Sequence, residues 1–270
     1  METTFRFLDT KPIELDRRQL VRGLAAGYVV ALTGCVENKA LGRQQLLLVS
    51  EAQMSQLSAS AWTQLRQQKK VSTNRKLNTR LQTVGRKIVT AANLQNQPWE
   101  FTVFEGKEAN AFVLPGGKVG FYEGIFQRME NDDQLATVMG HETAHVTARH
   151  SAERYSQHMA AGVGMQAAQI GLQSANVSNP GAIAAILGAG LQFGVLLPYS
   201  RQHELEADRL GVAYMQKAGY DPRQSLRFWQ NMSKQRTGQA PPPELMSTHP
   251  SDATRMAALQ AQLRSMGYQV

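Results

Sequence analysis

The stretch "MGHETAH", residues 139–145, decides how the rest of the chain is read. It holds His141, Glu142 and His145 in the pattern His-Glu-x-x-His. The chain has 6 His and 21 Asp plus Glu in 270 residues. Chance would then give His-acid-x-x-His in only about one such chain in a hundred. Residues four apart lie on one face of a helix. On a helix the two imidazoles therefore aim at a common point, with Glu142 beside them. Leu135 and Val138 continue that face, so it points into the core. Buried imidazoles and a buried carboxylate are costly without partners. A divalent cation would supply one. Zinc suits two imidazoles plus one carboxylate, with a fourth position open to water. Glu142 is then placed to take a proton from the acidified water as general base.

Two histidines need a third ligand. A histidine six residues beyond His145, after a glycine at the third, is excluded because position 151 is Ser and position 148 is Ala. His150 falls one residue early, off the ligand face, and reads as a packing or polar residue. The alternative is a glutamate from a later helix. "SRQHELEADRLG" (200–211) offers Glu204, with Asp208 four residues on and on the same face. Glu204 can ligate while Asp208 accepts the other ring N–H of a ligand histidine. His203 and Glu206 face elsewhere on that helix.

The surrounding elements follow from periodicity. Residues from Glu51 to about Ala92 read as helical, with Leu77, Leu81, Val84 and Ile88 on one side. "WEFTVFEG" (99–106) alternates as a half-buried strand. "NAFVLPGGKVGFYEG" (110–124) reads as two short strands around a Pro-Gly-Gly turn. Asn131 is the expected N-cap of the motif helix, with Gln134 three residues on, and the helix is expected to run from about Asp132 past Glu153. Residues 160–197 are Ala- and Gly-rich and read as a packed helical hairpin broken at "NPG" (179–181). A further helix is expected from about Arg201 to Ala218, ending at Gly219. "QAPPPE" (239–244) reads as a rigid connector. A last amphipathic helix is expected to start near Ser251.

Hydrophobic residues make up 42% and charged residues 19%, so the chain is globular. The net charge is +8. The Lys and Arg are dispersed, with no basic run interleaved with aromatics, which argues against a nucleic-acid partner. Cys35 is the single cysteine, which excludes an internal disulfide and multi-cysteine zinc sites. Arg17, Arg18 and Arg22 precede "GLAAGYVVALTGC" (23–35), in the order of an export signal. "LTGC" (32–35) resembles a bacterial lipobox, with Cys35 as the lipidated residue. The expected organisation is a lipoprotein signal peptide over 1–34, a tether over 35–50 and a catalytic domain over 51–270. Removing 1–34 takes away five basic and four acidic residues and leaves +7, so the basic character belongs to the folded part.

"NAFVLPGG" (110–117), "MGHETAHVTARHSAER" (139–154), "SRQHELEADRLG" (200–211) and "STHPSDATR" (247–255) stand in the order seen in the CAAX prenyl protease family of zinc metallopeptidases, a gluzincin group that the chain resembles over roughly residues 50–265. The resemblance implies an α+β, predominantly α, zincin-like fold with a small β-sheet beside the motif helix. It implies endopeptidase activity, with one zinc per chain on His141, His145 and Glu204 and with Glu142 as base. Asp208 matches the family's aspartate behind a ligand histidine. The first motif makes Asn110, Ala111 and Phe112 substrate-binding candidates. His249 matches a histidine that approaches the metal, as transition-state donor or as inhibitory fourth ligand. Pro250 disfavours helical geometry at His249, so its imidazole is displayed from an irregular segment. The transition-state role is the slightly favoured one, because three protein ligands and a water already complete a tetrahedron. Without clear flanking transmembrane helices or a tetratricopeptide array, neither a prenyl-protein substrate nor docking to an outer-membrane assembly machine is expected.

The expectation is thus an exported, lipid-anchored zinc endopeptidase of the periplasm, at the outer membrane because Val36 rather than Asp follows the cysteine. Its substrates would be unfolded or misfolded proteins. The rival is a non-catalytic, chaperone-like binding lipoprotein on the same fold, against which the intact Glu142 argues. Cys35→Ala is expected to release the protein from membranes or leave it unprocessed. Fractionation with a high-salt and carbonate wash checks this, and a variant that still pellets with membranes removes the lipid anchor.

Overall fold

Asn131 starts the motif helix. Its side chain accepts from the Gln134 N–H at 2.9 Å, and Asp132 and Asp133 put negative charge in the first turn, where the helix dipole favours it. The helix, Asp132–Thr147, is buried at every position from Gln134 to His145. The sequence pattern implied one buried face. The helix is enclosed all round because the sheet side of the core meets it on one flank and later helices meet it on the other.

The computed structural model describes residues 35–170, 200–234, 245, 249 and 253–270, with backbone alone over 161–170 and at 234. The export signal over 1–34, residues 171–197 of the apolar hairpin with its "NPG" break, and the "QAPPPE" connector lie outside the described residues. In chain order the elements are β1 (Cys35–Asn38), β2 (Arg43–Leu46), α1 (Glu51–Gln68), α2 (Arg75–Ala91), β3 (Glu100–Phe104), β4 (Ala111–Leu114), β5 (Lys118–Tyr122), the short α3 (Glu123–Phe126), the motif helix α4, α5 (His150–Ile170), α6 (Arg201–Lys217), α7 (Arg223–Lys234) and α8 (Ala253–Ser265). The architecture is α+β and predominantly α, as expected. Among the described residues no helix is long and apolar enough to cross a membrane.

The sheet order is β3-β5-β4, with β3 parallel and β4 antiparallel to β5. The Pro-Gly-Gly turn joins β4 to β5, and Gly116 and Gly117 adopt φ of +82° and +76°, open to glycine at little cost. Val103, Ala111, Val113, Val119 and Phe121 enter the main core with Leu81, Val84 and Ile88 of α2. Phe104, Phe112, Leu114 and Tyr122 form a second cluster with Trp62 of α1. β3 is therefore more buried than the half-buried strand expected of it: Trp62 covers its other face, with its ring 5.6 Å from that of Phe104.

Three sequence expectations change. The helical stretch from Glu51 to about Ala92 is two helices, parted where Val71 bridges Phe104 and Asn74 caps α2. The motif helix does not run past Glu153. It stops at Thr147, Arg149 takes φ +54°, and α5 begins at His150. The tether over 35–50 is a packed β-hairpin as far as Leu46. Arg43 binds Glu153 of α5 at 2.7 Å and Glu206 of α6 at 2.6 Å, and Gln45 donates to the Ala148 carbonyl at 2.7 Å. Those hydrogen bonds hold the Glu153 carboxyl down at about 2 against the upward push of burial, with His203, Arg43 and Gln45 as donors.

Helices α4 and α6 touch backbone to backbone at two glycines. A Cβ on Gly140 would lie 2.9 Å from the Gly211 carbonyl oxygen, and one on Gly211 would lie 2.9 Å from the His141 nitrogen. Neither obstacle is a flexible side chain. Gly211→Ala is expected to push the helices apart and cost about 1–3 kcal/mol. Denaturant unfolding of the metal-free protein measures this, and an unchanged midpoint and slope would show that the crossing tolerates a methyl group.

Candidate metal centre

The glycine crossing decides what faces what. Ser200 caps α6, accepting from the His203 N–H at 3.2 Å. Glu204 and Asp208, one turn apart, then lie against His145 and His141 of α4. His141 Nε2 and His145 Nε2 are 3.1 Å apart. Glu204 places Oε2 at 3.3 Å from His141 Nε2 and Oε1 at 3.5 Å from His145 Nε2. His249 brings Nδ1 to 3.1 Å from His141 Nε2 and 3.0 Å from Glu204 Oε1. One ligand atom from each of these four buried residues lies within 4.8 Å of the others. The His249 N–H is itself held by the Leu245 carbonyl at 2.8 Å, and the Leu245 N–H by the Ala109 carbonyl at 3.1 Å, next to β4.

Behind the donors stands a second layer. Asp208 Oδ1 is 2.9 Å from His141 Nδ1. Arg255 of α8, wholly buried, reaches Asp208 Oδ1 at 2.8 Å with Nη2 and Glu204 Oε2 at 2.8 Å with Nη1. Its guanidinium lies 4.1 Å from the centroid of the Trp229 ring of α7. On the other flank His150 Nδ1 is 2.9 Å from His145 Nδ1, and His150 Nε2 is 2.9 Å from Glu206 Oε2.

Electrostatics separate the carboxylates. Burial pushes Glu142 up to about 7, even though His249 and the Val113 N–H favour its charged form. Glu204 is held well below the usual carboxylate range: burial opposes this, but the charges of His249, Arg255 and His141 outweigh it. Asp208 is lowered, burial again being overcome by Arg255. Burial pulls His145 well down and His150 down to about 4.

The donor set fits a divalent cation. Glu142, Glu204 and Asp208 are buried against the Arg255 guanidinium, so two negative charges are left over when all three are ionised and the histidines are neutral, the form in which imidazole ligates. Glu142 Oε1 and Glu204 Oε2 are buried and accept no well-formed hydrogen bond among the described residues. His249 Nε2 at 3.3 Å and Arg255 Nη1 at 2.8 Å lie close to them as charges only. The shorter donor spacings of 3.0–3.5 Å are close to the roughly 3.3 Å edges of a tetrahedron with metal–ligand bonds near 2.0–2.1 Å, within a set that spans up to 4.8 Å. Imidazole and carboxylate together suit zinc.

The structure brings His141, Glu142, His145, Glu204, Asp208 and His249 together. Phe112 and Ala111 are committed elsewhere. The Phe112 ring lies over Gly120 and Ala111 packs into the main core. Asn110 is buried, with its side-chain oxygen accepting from the Ala111 N–H at 2.9 Å. What β4 offers the site is backbone: the Val113 N–H favours the charged form of Glu142. Cys35 is exposed at the start of β1. Sequence reasoning gave Arg255 and Trp229 no role. A signal for Arg255 existed, since Arg255, Leu259 and Leu263 recur every four residues and are the buried face of α8. His150, read as a packing or polar residue, is a buried partner of His145.

Comparison with known proteins agrees with this geometry. The family model for peptidase family M48 matches residues 75–263. The mitochondrial metalloendopeptidase OMA1 of Schizosaccharomyces pombe is 36% identical over 177 residues, covering 66% of this chain and 50% of that protein. OMA1 of Saccharomyces cerevisiae is 34% identical over 212 residues, 73% of this chain and 59% of that protein. The beta-barrel assembly-enhancing protease of Escherichia coli is 33% identical over 180 residues, 66% of this chain and 37% of that protein. The chain thus spans between about a third and three-fifths of the length of these relatives. The match runs from α2 to α8 and includes every residue of the donor cluster, and the chain belongs to peptidase family M48.

Proposed function

We propose that the chain is a zinc-dependent endopeptidase. The observation that carries this reading is the buried Glu142 carboxylate beside the converging donors His141, His145 and Glu204. A divalent cation held by those three supplies Lewis-acid polarisation of the scissile carbonyl and acidifies the attacking water. Glu142 takes the proton of that water and returns it to the departing amine, a role suited to a carboxyl that burial raises toward neutrality. Asp208 and Arg255 hold His141 and Glu204 in orientation. Among the described residues β4 pairs on one side only, with β5. Its other edge suits an extended substrate added as a further strand, which would bring a peptide bond alongside Glu142. Such binding reads backbone rather than side chains and suits unfolded or misfolded proteins.

The bacterial relative named for β-barrel assembly supports a role in protein quality control of the cell envelope. With the lipobox-like "LTGC" and the exposed Cys35, the reading is a periplasmic enzyme anchored by lipid, at the outer membrane. His249 supplies the regulation. Its Nδ1 sits among the metal donors rather than where a substrate carbonyl would come, which favours a fourth ligand that closes the resting site over the transition-state donor preferred from the sequence.

Glu142→Gln is expected to retain zinc and fold but to lose peptide cleavage by about 10²–10⁴-fold. Cleavage of a quenched fluorescent peptide, with zinc measured on the same sample, checks this, and wild-type turnover in the variant would refute the assigned base. His249→Ala is expected to raise basal cleavage with zinc still held by the other three ligands. A fall in kcat at unchanged zinc content would instead assign His249 to the transition state.

A further inference from the structure

The two metal-ligand histidines are oriented by different means. His141 meets a carboxylate directly, at Asp208. His145 meets another imidazole. Its Nδ1 lies 2.9 Å from His150 Nδ1, and His150 Nε2 lies 2.9 Å from Glu206 Oε2. Glu206 is held in turn by Arg43 of the N-terminal hairpin, at 2.6 Å from Nε and 2.8 Å from Nη2.

Proton counting fixes the tautomers. An ionised carboxylate only accepts, so His150 Nε2 carries a hydrogen and donates to Glu206. Two facing nitrogens share one hydrogen. If it sits on His150 Nδ1, then His145 Nδ1 is bare, and the hydrogen of neutral His145 lies on Nε2, pointing into the donor cluster. That tautomer cannot ligate. If it sits on His145 Nδ1, His150 accepts, and His145 Nε2 presents its lone pair to the other donors. Only the second arrangement lets both ligand histidines serve. The helix break makes it possible: on a continuous helix position 150 lies off the face of His145, whereas φ +54° at Arg149 turns the chain so that His150 begins α5 against it.

We propose that His150 is a positioning residue for the metal site, a neutral relay that accepts from His145 Nδ1 and donates to Glu206, so that the hairpin residue Arg43 steadies a metal ligand three hydrogen bonds away. The proposal rests on the metal reading of the preceding subsection. An outer partner of this kind is worth roughly 10- to 100-fold in metal affinity.

The test compares His150→Leu, which can neither accept nor donate, with His150→Gln, whose amide can do both. Zinc affinity of each full-length variant is measured by competition with a chromophoric chelator, alongside thermal melting of the metal-free protein. His150→Leu is expected to bind zinc about 10- to 100-fold more weakly, and His150→Gln to recover most of that loss. Nitrogen NMR of the zinc-loaded wild type, with labelled histidine, is expected to show hydrogen on His145 Nδ1 and on His150 Nε2. A lowered metal-free melting temperature with unchanged zinc affinity in His150→Leu would reduce His150 to a packing residue and overturn the proposal, as would hydrogen on His150 Nδ1. No zinc bound by the wild type would defeat the metal reading and this proposal together. Zinc bound equally by wild type and His150→Leu would defeat this proposal alone.

Discussion

Everything at the site depends on two helices meeting without side chains between them. Gly140 and Gly211 let the backbones of α4 and α6 come into van der Waals contact. Residues within a turn or two of so close a crossing can reach the neighbouring helix. On α6 those residues are Asp208 and Glu204, and on α4 the imidazoles beside the crossing are His141 and His145. A longer separation would leave the carboxylates short of the imidazole nitrogens. The crossing therefore sets the 2.9 Å from Asp208 to His141 and the 3.3 Å from Glu204 to the same ring.

Close approach brings a charge problem. Three carboxylates, Glu142, Glu204 and Asp208, are nearly without solvent contact. Burying one ionised carboxylate without a partner costs several kcal/mol. Arg255 meets two of the three, and Trp229 faces its guanidinium. Glu142 is the one left over: burial raises all three, and only at Glu142 does no neighbouring charge outweigh it. The same residual negative charge that destabilises the empty site favours a divalent cation. Metal binding and folding of this region are thereby coupled.

Local rules explain which parts of this were legible in the sequence. His141, Glu142 and His145 declare themselves by spacing, because a helix turns four-residue separation into proximity. Glu204 and Asp208 do the same one helix later. The N-cap at Asn131 and the Pro-Gly-Gly turn are local chemistry and also read correctly. Arg255 declares itself only weakly: its four-residue spacing from Leu259 and Leu263 puts it on the buried face of α8, but it lies 47 residues beyond Asp208 and nothing local names its partners. The hairpin at 35–46 gives no strand signal, since Arg43, Gln44 and Gln45 make a polar run without alternation. It packs through ion pairs and amide hydrogen bonds rather than apolar burial, and hydrophobic periodicity cannot see that. The break at Arg149 is silent in the sequence for a related reason. No Gly or Pro marks it, and tertiary contacts of His150 hold an ordinary residue at positive φ.

Histidine usage ties these observations together. The chain has 6 histidines, and five of them form one connected body: His249 with His141, His141 with His145, His145 with His150, and the rings of His150 and His203 stacked at 4.3 Å. A row of imidazoles with this spacing repels itself if every member is protonated. The alternation of acceptors along its edge avoids that. Asp208 and Glu204 flank one end, while Glu206 and Glu153 flank the other, with Arg43 closing the second pair. The carboxylates fix hydrogens on the outward nitrogens and leave inward lone pairs for the donor cluster. The N-terminal hairpin, remote in sequence from the motif helix, is thus part of the scaffold that decides which nitrogens can face a metal.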